Sequence, residues 1–337
     1  MQRCEQSGVL CEKNLSGLDI RAVEVECSEC AIQKKGLARS NGKEYKMSYT
    51  KHTHVYKKCN QYTLELDVYL TNNTSRESIP VVVYIHGGAL IWGTREKVNE
   101  TEVNAILSEG MAYVSIDYRL APETSLMEIK KDVEDAMQWV REDGATLYGF
   151  DANRVAALGR SAGGYLALLS GTFLIPPQCI VSFYGYGDIL GSWYAQPSPH
   201  HMKNPLVSPA EAAACVRADV PIHAGHERLP LYLRSRQTGS WASLVSGYDS
   251  SEVNAMLAPF CPIHQIGTRY PATFLLHGSV DTDVPAEQSQ NMYAALADAG
   301  IASQLYIQPD ADHGFDGSWE NVPEEFGRVI EFLNRTL

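Results

Sequence analysis

The chain has 337 residues, of which 45% are apolar and 20% charged, a composition neither disordered nor fibrous. Lys and Arg number 28 against 40 Asp and Glu, so the formal charge of −12 repels a phosphate backbone, and nucleic acid is excluded as an expected partner. Apolar runs such as Ile79 to Ile85 and Ala272 to Leu276 fall far short of the roughly 20 residues of a membrane span, and none is expected.

The polar opening Met1-Gln2-Arg3-Cys4-Glu5-Gln6 carries no apolar signal core, which makes a cytoplasmic protein with reduced thiols the expectation. Cys27-Ser28-Glu29-Cys30 has no second pair at zinc spacing, so neither metal nor cofactor is expected there. Residues 1–40 read as a polar, cysteine-rich arm packed on the main body. Alternation between Tyr45 and Leu70, clearest in Leu64-Glu65-Leu66-Asp67-Val68-Tyr69-Leu70, predicts an antiparallel pair at a sheet edge.

From Val81 a regular rhythm begins. Val81 to Ile85, Ala112 to Ile116, Val155 to Leu158, Ile180 to Tyr184, Ala272 to Leu276 and Gln304 to Ile307 read as strands buried on both faces. Helices are expected at about residues 97–109, 127–142, 162–170, 286–299 and 323–333. This alternation implies an α/β fold with a mostly parallel sheet covered on both sides. Residues 186–266, rich in Pro, His, Ser and Tyr, break the rhythm. They are expected to be a lid inserted into a core of residues 41–185 and 267–337.

Gly159-Arg160-Ser161-Ala162-Gly163-Gly164 follows the third of these strands and opens a helix. That is G-x-S-x-G in its strand, turn, helix context. Small residues sharpen the turn, expose the Ser161 hydroxyl and set the Ala162 amide at a helix N-terminus. A serine nucleophile needs a base and oriented amides. Upstream, His86-Gly87-Gly88-Ala89 follows the first strand, where small residues can turn their amides towards the elbow. His86 itself reads as a brace for that turn, and Asp117, Arg119, Asp151 and Arg154 read as braces of other loops.

With Asp117-Tyr118-Arg119-Leu120-Ala121-Pro122-Glu123 between them, H-G-G-A and G-R-S-A-G-G resemble the α/β-hydrolase superfamily, specifically its hormone-sensitive-lipase-like esterase branch. The resemblance implies an oxyanion hole from the amides of Gly88, Ala89 and Ala162, with Gly87 close by; Ala89 stands where a third glycine is usual. Downstream, His277-Gly278-Ser279-Val280-Asp281-Thr282-Asp283-Val284-Pro285 and Asp310-Ala311-Asp312-His313-Gly314-Phe315 each end a strand, in the superfamily's chain order of Ser, Asp, His. The H-G-x-x-D-x-x-V-P form resembles hydrolases with peptidase-like and feruloyl-esterase-like C-terminal halves and implies Asp281 as the acid, with Asp283 the rival. His313, in D-H-G-F, is the base.

Leu90, Ile91, Trp92, Tyr165, Tyr184, Tyr186, Trp193 and Tyr194 are expected around the mouth, an apolar and aromatic set suited to a hydrophobic acyl or alcohol group or to lid packing. His200-His201 and His223-x-x-His226 lack an acid or cysteine to complete a metal site. The expected activity is that of a serine hydrolase of carboxylic esters acting on a small-molecule ester or thioester. A thioesterase or lactone-forming or lactone-opening acyl transferase is the alternative, and a hydrolase-fold ligand-binding protein the alternative of another class. A homodimer is left open.

Overall fold

A computed structural model describes residues 32–40, 43–59, 62–72, 77–219, 221–248, 252–317 and 323–337. Cys27 and Cys30, and all of the expected arm before residue 32, lie outside the described residues. Among the described residues nine strands form one sheet: β1 (Ile32–Ser40), β2 (Lys43–Lys58), β3 (Thr63–Thr71), β4 (Ile79–Ile85), β5 (Ala112–Ile116), β6 (Phe150–Arg160), β7 (Cys179–Phe183), β8 (Ala272–Gly278) and β9 (Ser303–Gln308), in the order β1-β2-β3-β5-β4-β6-β7-β8-β9. The six strands from β5 to β9 run parallel, and β1, β2 and β3 add an antiparallel flank.

Val81, Val82 and Val83 show why the centre is parallel. All three are fully buried, so both faces of β4 must be covered. Val81, Val83 and Ile85 join the core beneath α2 (Leu126–Tyr148), α3 (Ala162–Ser170) and α9 (Glu287–Asp298), whereas Val82 and Tyr84 pack beneath α1 (Glu100–Ser108) and α10 (Glu324–Thr336). Among the described residues no helix is long and apolar enough to cross a membrane.

Local chemistry sets the element ends. The Asn99 side chain accepts the Thr101 and Glu102 amides and starts α1 there rather than at residue 97. Ser125 and Glu128 form a capping box on α2. That helix runs six residues past the expected end to Gly149, whose φ of 76° closes it with the Gly149 amide on the Ala145 carbonyl.

Two expectations are corrected. The β2/β3 pair is not at the edge, because β1 lies outside β2; β3 is interior, and Asp67, a polar position of the alternation, is fully buried and paired with Lys51 at 2.8 Å and Arg95 at 3.2 Å. Gln304 to Ile307 is half-buried rather than buried on both faces, because β9 is the last strand of the sheet.

Between β7 and β8 the described residues form five short α-helices, α4 (Ser192–Ala195), α5 (Pro209–Ala213), α6 (Leu229–Thr238), α7 (Trp241–Ser246) and α8 (Val253–Leu257). This segment is tied to the loop after β4. Trp241 Nε1 donates to the Ala89 carbonyl at 3.1 Å, Arg228 Nη1 donates to the Ile91 carbonyl at 2.9 Å, and Gly93 and Ala224 form an antiparallel bridge.

Candidate active site

The turn from β6 into α3 places Ser161 at φ 54°, ψ −120°, a left-handed strained conformation for a residue with a side chain. Its neighbours make the strain tolerable. A Cβ on Gly159 would stand 2.1 Å from the Gly163 carbonyl oxygen, and one on Gly163 2.0 Å from that of Ile85. Only glycines let the strand, the turn and β4 approach this closely. The Ser161 amide donates to the Phe183 carbonyl at 2.9 Å, so the turn is locked to β7 while the hydroxyl is left for other partners.

That hydroxyl lies 3.0 Å from His313 Nε2, and His313 Nδ1 lies 2.7 Å from Asp281 Oδ2. The three residues come from the ends of β6, β9 and β8, and 152 positions separate Ser161 from His313. Asp281 Oδ1 accepts the Asp283 and Val284 amides at 2.9 and 2.8 Å. His277, fully buried on β8, brings Nε2 to 3.2 Å from Asp281 Oδ2 and Nδ1 to 2.7 Å from Ser289 Oγ. Burial alone would raise the Asp281 carboxyl, but the His277 and His313 hydrogen bonds outweigh it and hold the group well below the usual carboxylate range. His313 moves the other way: burial disfavours its imidazolium, yet the Asp281 hydrogen bond and the Asp283 and Asp281 charges raise it above an ordinary histidine.

Asp283 occupies a different place from its rival. Its Oδ2 is 3.8 Å from His313 Nε2, beyond a hydrogen bond and on the nitrogen facing Ser161 rather than the one facing Asp281. Sequence reasoning found Asp281 and Asp283 two positions apart and could not tell their sides of the imidazole. It missed His277, although it stands only four positions before Asp281, and it missed Tyr232, whose hydroxyl donates to Asp283 Oδ1.

Gly87, Gly88 and Ala89 lie beside the elbow: a Cβ on Gly87 would be 3.3 Å from Ser161 Cβ. Gly88, Ala89 and Leu90 have φ of 110°, 55° and 64°, and the Gly88 carbonyl takes the Ile91 and Trp92 amides. The Gly88 and Ala89 amides donate to no acceptor among the described residues, and Ala162, at the first position of α3, has no intrahelical acceptor for its own. His86 braces this loop. Its Nδ1 lies 2.8 Å from the Gly87 carbonyl, its ring stacks on Tyr118 at 4.2 Å, and burial lowers its pKa to about 4. Asp117 accepts from Arg95 and lies 2.9 Å from His223 Nε2; Arg119 is spent on Asp132, Glu128 and Tyr62; Asp151 and Arg154 hold Ser78.

The aromatic set is packed more tightly than an open mouth needs. Leu90, Tyr165 and Tyr186 are fully buried, with Tyr165 and Tyr186 stacked at 4.9 Å, because ring faces find better partners in one another than in water. Trp193 and Tyr194 stack at 3.7 Å, and Trp92 sets its edge against Tyr232. Tyr184 touches His313 with ring centroids 4.7 Å apart. Among the described residues no cluster of His, Cys, Asp and Glu could hold a metal; His201 lies 3.4 Å from Asp283 and His226 packs on Trp92.

One further network reaches the site. Arg160, next to Ser161, pairs with Glu102 at 2.5 Å and with Asp316, and Asp316 accepts the hydroxyl of Tyr184.

Comparison with known proteins agrees with this architecture. The BD-FAE family model matches residues 66–175 and the prolyl oligopeptidase family model residues 234–337. The chain is 30% identical over 309 residues to the non-reducing polyketide synthase ausA of Aspergillus calidoustus and 27% identical over 343 residues to pkbA of Emericella nidulans. These matches take in 75% and 82% of the chain, which spans only 12% and 14% of the length of those relatives. Among solved structures, an α/β hydrolase superfamily protein from Enterococcus faecalis aligns with a TM-score of 0.66 at 23% identity, covering 85% of this chain and 98% of that one. Esterase LipW from Mycobacterium marinum aligns at 0.61 and 22%, covering 86% and 82%. Sheet order and these matches together show that the chain has the α/β-hydrolase fold.

Proposed function

We propose that the protein is a serine hydrolase that cleaves carboxylic esters of small to medium hydrophobic acids or alcohols through an acyl-enzyme on Ser161. The observation that carries this reading is the unbroken hydrogen-bond chain from Ser161 Oγ through His313 to Asp281, beside a loop whose amides are unspent. His313 Nε2 takes the hydroxyl proton as Ser161 attacks the acyl carbonyl. Asp281 fixes the proton on Nδ1 and stabilises the imidazolium. The amides of Gly88, Ala89 and Ala162 receive the oxyanion, and His313 hands its proton to the departing alcohol. Water then cleaves the ester on Ser161. Residues 186–266 act as the lid, holding the oxyanion loop through Trp241 and Arg228.

Similarity to parts of two non-reducing polyketide synthases favours a second reading, in which the acyl group arrives as a thioester and leaves as an acid or a lactone. The −12 charge disfavours a free polyanionic thioester such as one of coenzyme A, so a carrier-bound or neutral thioester fits better.

Hydrolysis of a p-nitrophenyl ester chain-length series by the wild type and Ser161→Ala tests the first reading. Equal turnover in the two proteins overturns it. An N-acetylcysteamine thioester of a hydroxy acid separates the second, by whether free acid or lactone accumulates.

A further inference from the structure

Asp283 stands where the second nucleophile must arrive. Once Ser161 carries an acyl group its oxygen no longer has a proton to give, and His313 Nε2 becomes free to accept one from an incoming O–H. Asp283 Oδ2 lies 3.8 Å from that nitrogen. One oxygen about 2.8 Å from each atom spans such a gap. The carboxylate is not free to swing away. Tyr232 donates to its Oδ1, His201 Nε2 lies 3.4 Å from the same oxygen, Arg236 Nη2 holds the Asp283 carbonyl at 2.9 Å, and the Asp283 amide is fixed on Asp281. The side chain remains about one-quarter exposed, so solvent reaches it. Two acceptors so placed suit a donor with two protons.

Resting on the serine-hydrolase reading, we propose that Asp283 is a positioning residue that orients the deacylating water and so selects hydrolysis over acyl transfer to an alcohol. One water proton points to His313 Nε2 and the other to Asp283 Oδ2, which leaves a lone pair for the acyl carbon. As the new C–O bond forms, the first proton passes to Nε2. The bond from the acyl carbon to Ser161 Oγ then breaks, and Nε2 returns that proton to Oγ. Asp283 accepts a hydrogen bond throughout and neither gains nor loses a proton. A simple alcohol has one proton, already committed to Nε2, and would set its oxygen against an unsatisfied carboxylate.

Partitioning of the acyl-enzyme between water and methanol tests this. The full chain is supplied with p-nitrophenyl butyrate in buffered methanol, and butyric acid and methyl butyrate are quantified. The ratio depends only on acyl-enzyme that has formed, so a variant yielding little folded protein still reports. Asp283→Asn keeps the shape and, with Tyr232 holding Oδ1, puts an amide donor where Oδ2 was. It is expected to raise the ester-to-acid ratio by about tenfold, the size of one charge-assisted hydrogen bond. Tyr232→Phe loosens the carboxylate and should move the ratio the same way by a smaller factor. Ratios within twofold of wild type in both variants overturn the proposal while leaving the serine reading intact. Wild-type p-nitrophenol release no faster than that of Ser161→Ala overturns the serine reading, and this proposal with it.

Discussion

Replacing Arg160 with Met removes a buried cation and strands two carboxylates. Glu102 and Asp316 have fully buried side chains, and Arg160 reaches both. Each carboxylate keeps one neutral donor, Glu102 the Tyr113 hydroxyl at 2.7 Å and Asp316 the Tyr184 hydroxyl. Breaking a buried ion pair from one side costs about 3–5 kcal/mol, and the retained hydroxyls place this case at about 3. That is a large part of the 5–15 kcal/mol typical of a folded chain. The guanidinium also lies over the Phe183 ring at 4.7 Å, a contact that the Met side chain replaces only in part. Urea unfolding of Arg160→Met should show a lower midpoint with an unchanged slope. Adding Glu102→Gln and Asp316→Asn removes both stranded charges and should restore at least half of the loss. A loss under about 1 kcal/mol in the single variant, or no recovery in the triple one, refutes the claim that desolvated charge dominates here.

Other consequences can be measured separately. Hydrolysis needs neutral His313, whose pKa is raised, so kcat/KM should climb with pH through an apparent value above the ordinary ~6.5. Asp283→Asn removes a charge that favours the imidazolium, so the acid limb should move to lower pH; an unmoved limb between pH 5 and 9 contradicts the assignment. Trp241→Phe keeps the ring stack on Tyr194 at 4.2 Å but loses the bond to the Ala89 carbonyl. It should cost about 1 kcal/mol of stability and lower kcat about tenfold, short of the ~100-fold or more for losing an oxyanion donor outright. Wild-type kcat would detach this contact from the oxyanion loop. Gly163→Ala puts a methyl 2.0 Å from one backbone oxygen and 2.5 Å from the next, those of Ile85 and His86, and should give no soluble folded protein; a variant melting at the wild-type temperature refutes the packing argument.

Sequence is most legible where the information is local. Val81 to Ile85 with its unbroken apolar run, the glycines around Ser161, and the loops bearing Asp281 and His313 each announce themselves within a dozen residues, and chain order supplies the rest of the sheet centre. What failed to show is set by distance. Arg160 meets Asp316 across 156 positions, and Tyr232 meets Asp283 across 51, and neither Asp316 nor Tyr232 stands in a motif. The segment between β7 and β8 gives no periodic signal because its helices are as short as four residues, below the length at which a 3.6-residue stripe can be read. The aromatic residues were visible, but whether a ring faces a cavity or another ring depends on packing that composition does not encode.

The central claim is the acyl-enzyme, and intact-protein mass after rapid mixing with a p-nitrophenyl ester tests it most directly. The account predicts a covalent acyl adduct on the peptide carrying Ser161, formed in the wild type and absent from Ser161→Ala. An adduct that persists in Ser161→Ala, or full turnover by that variant, contradicts it.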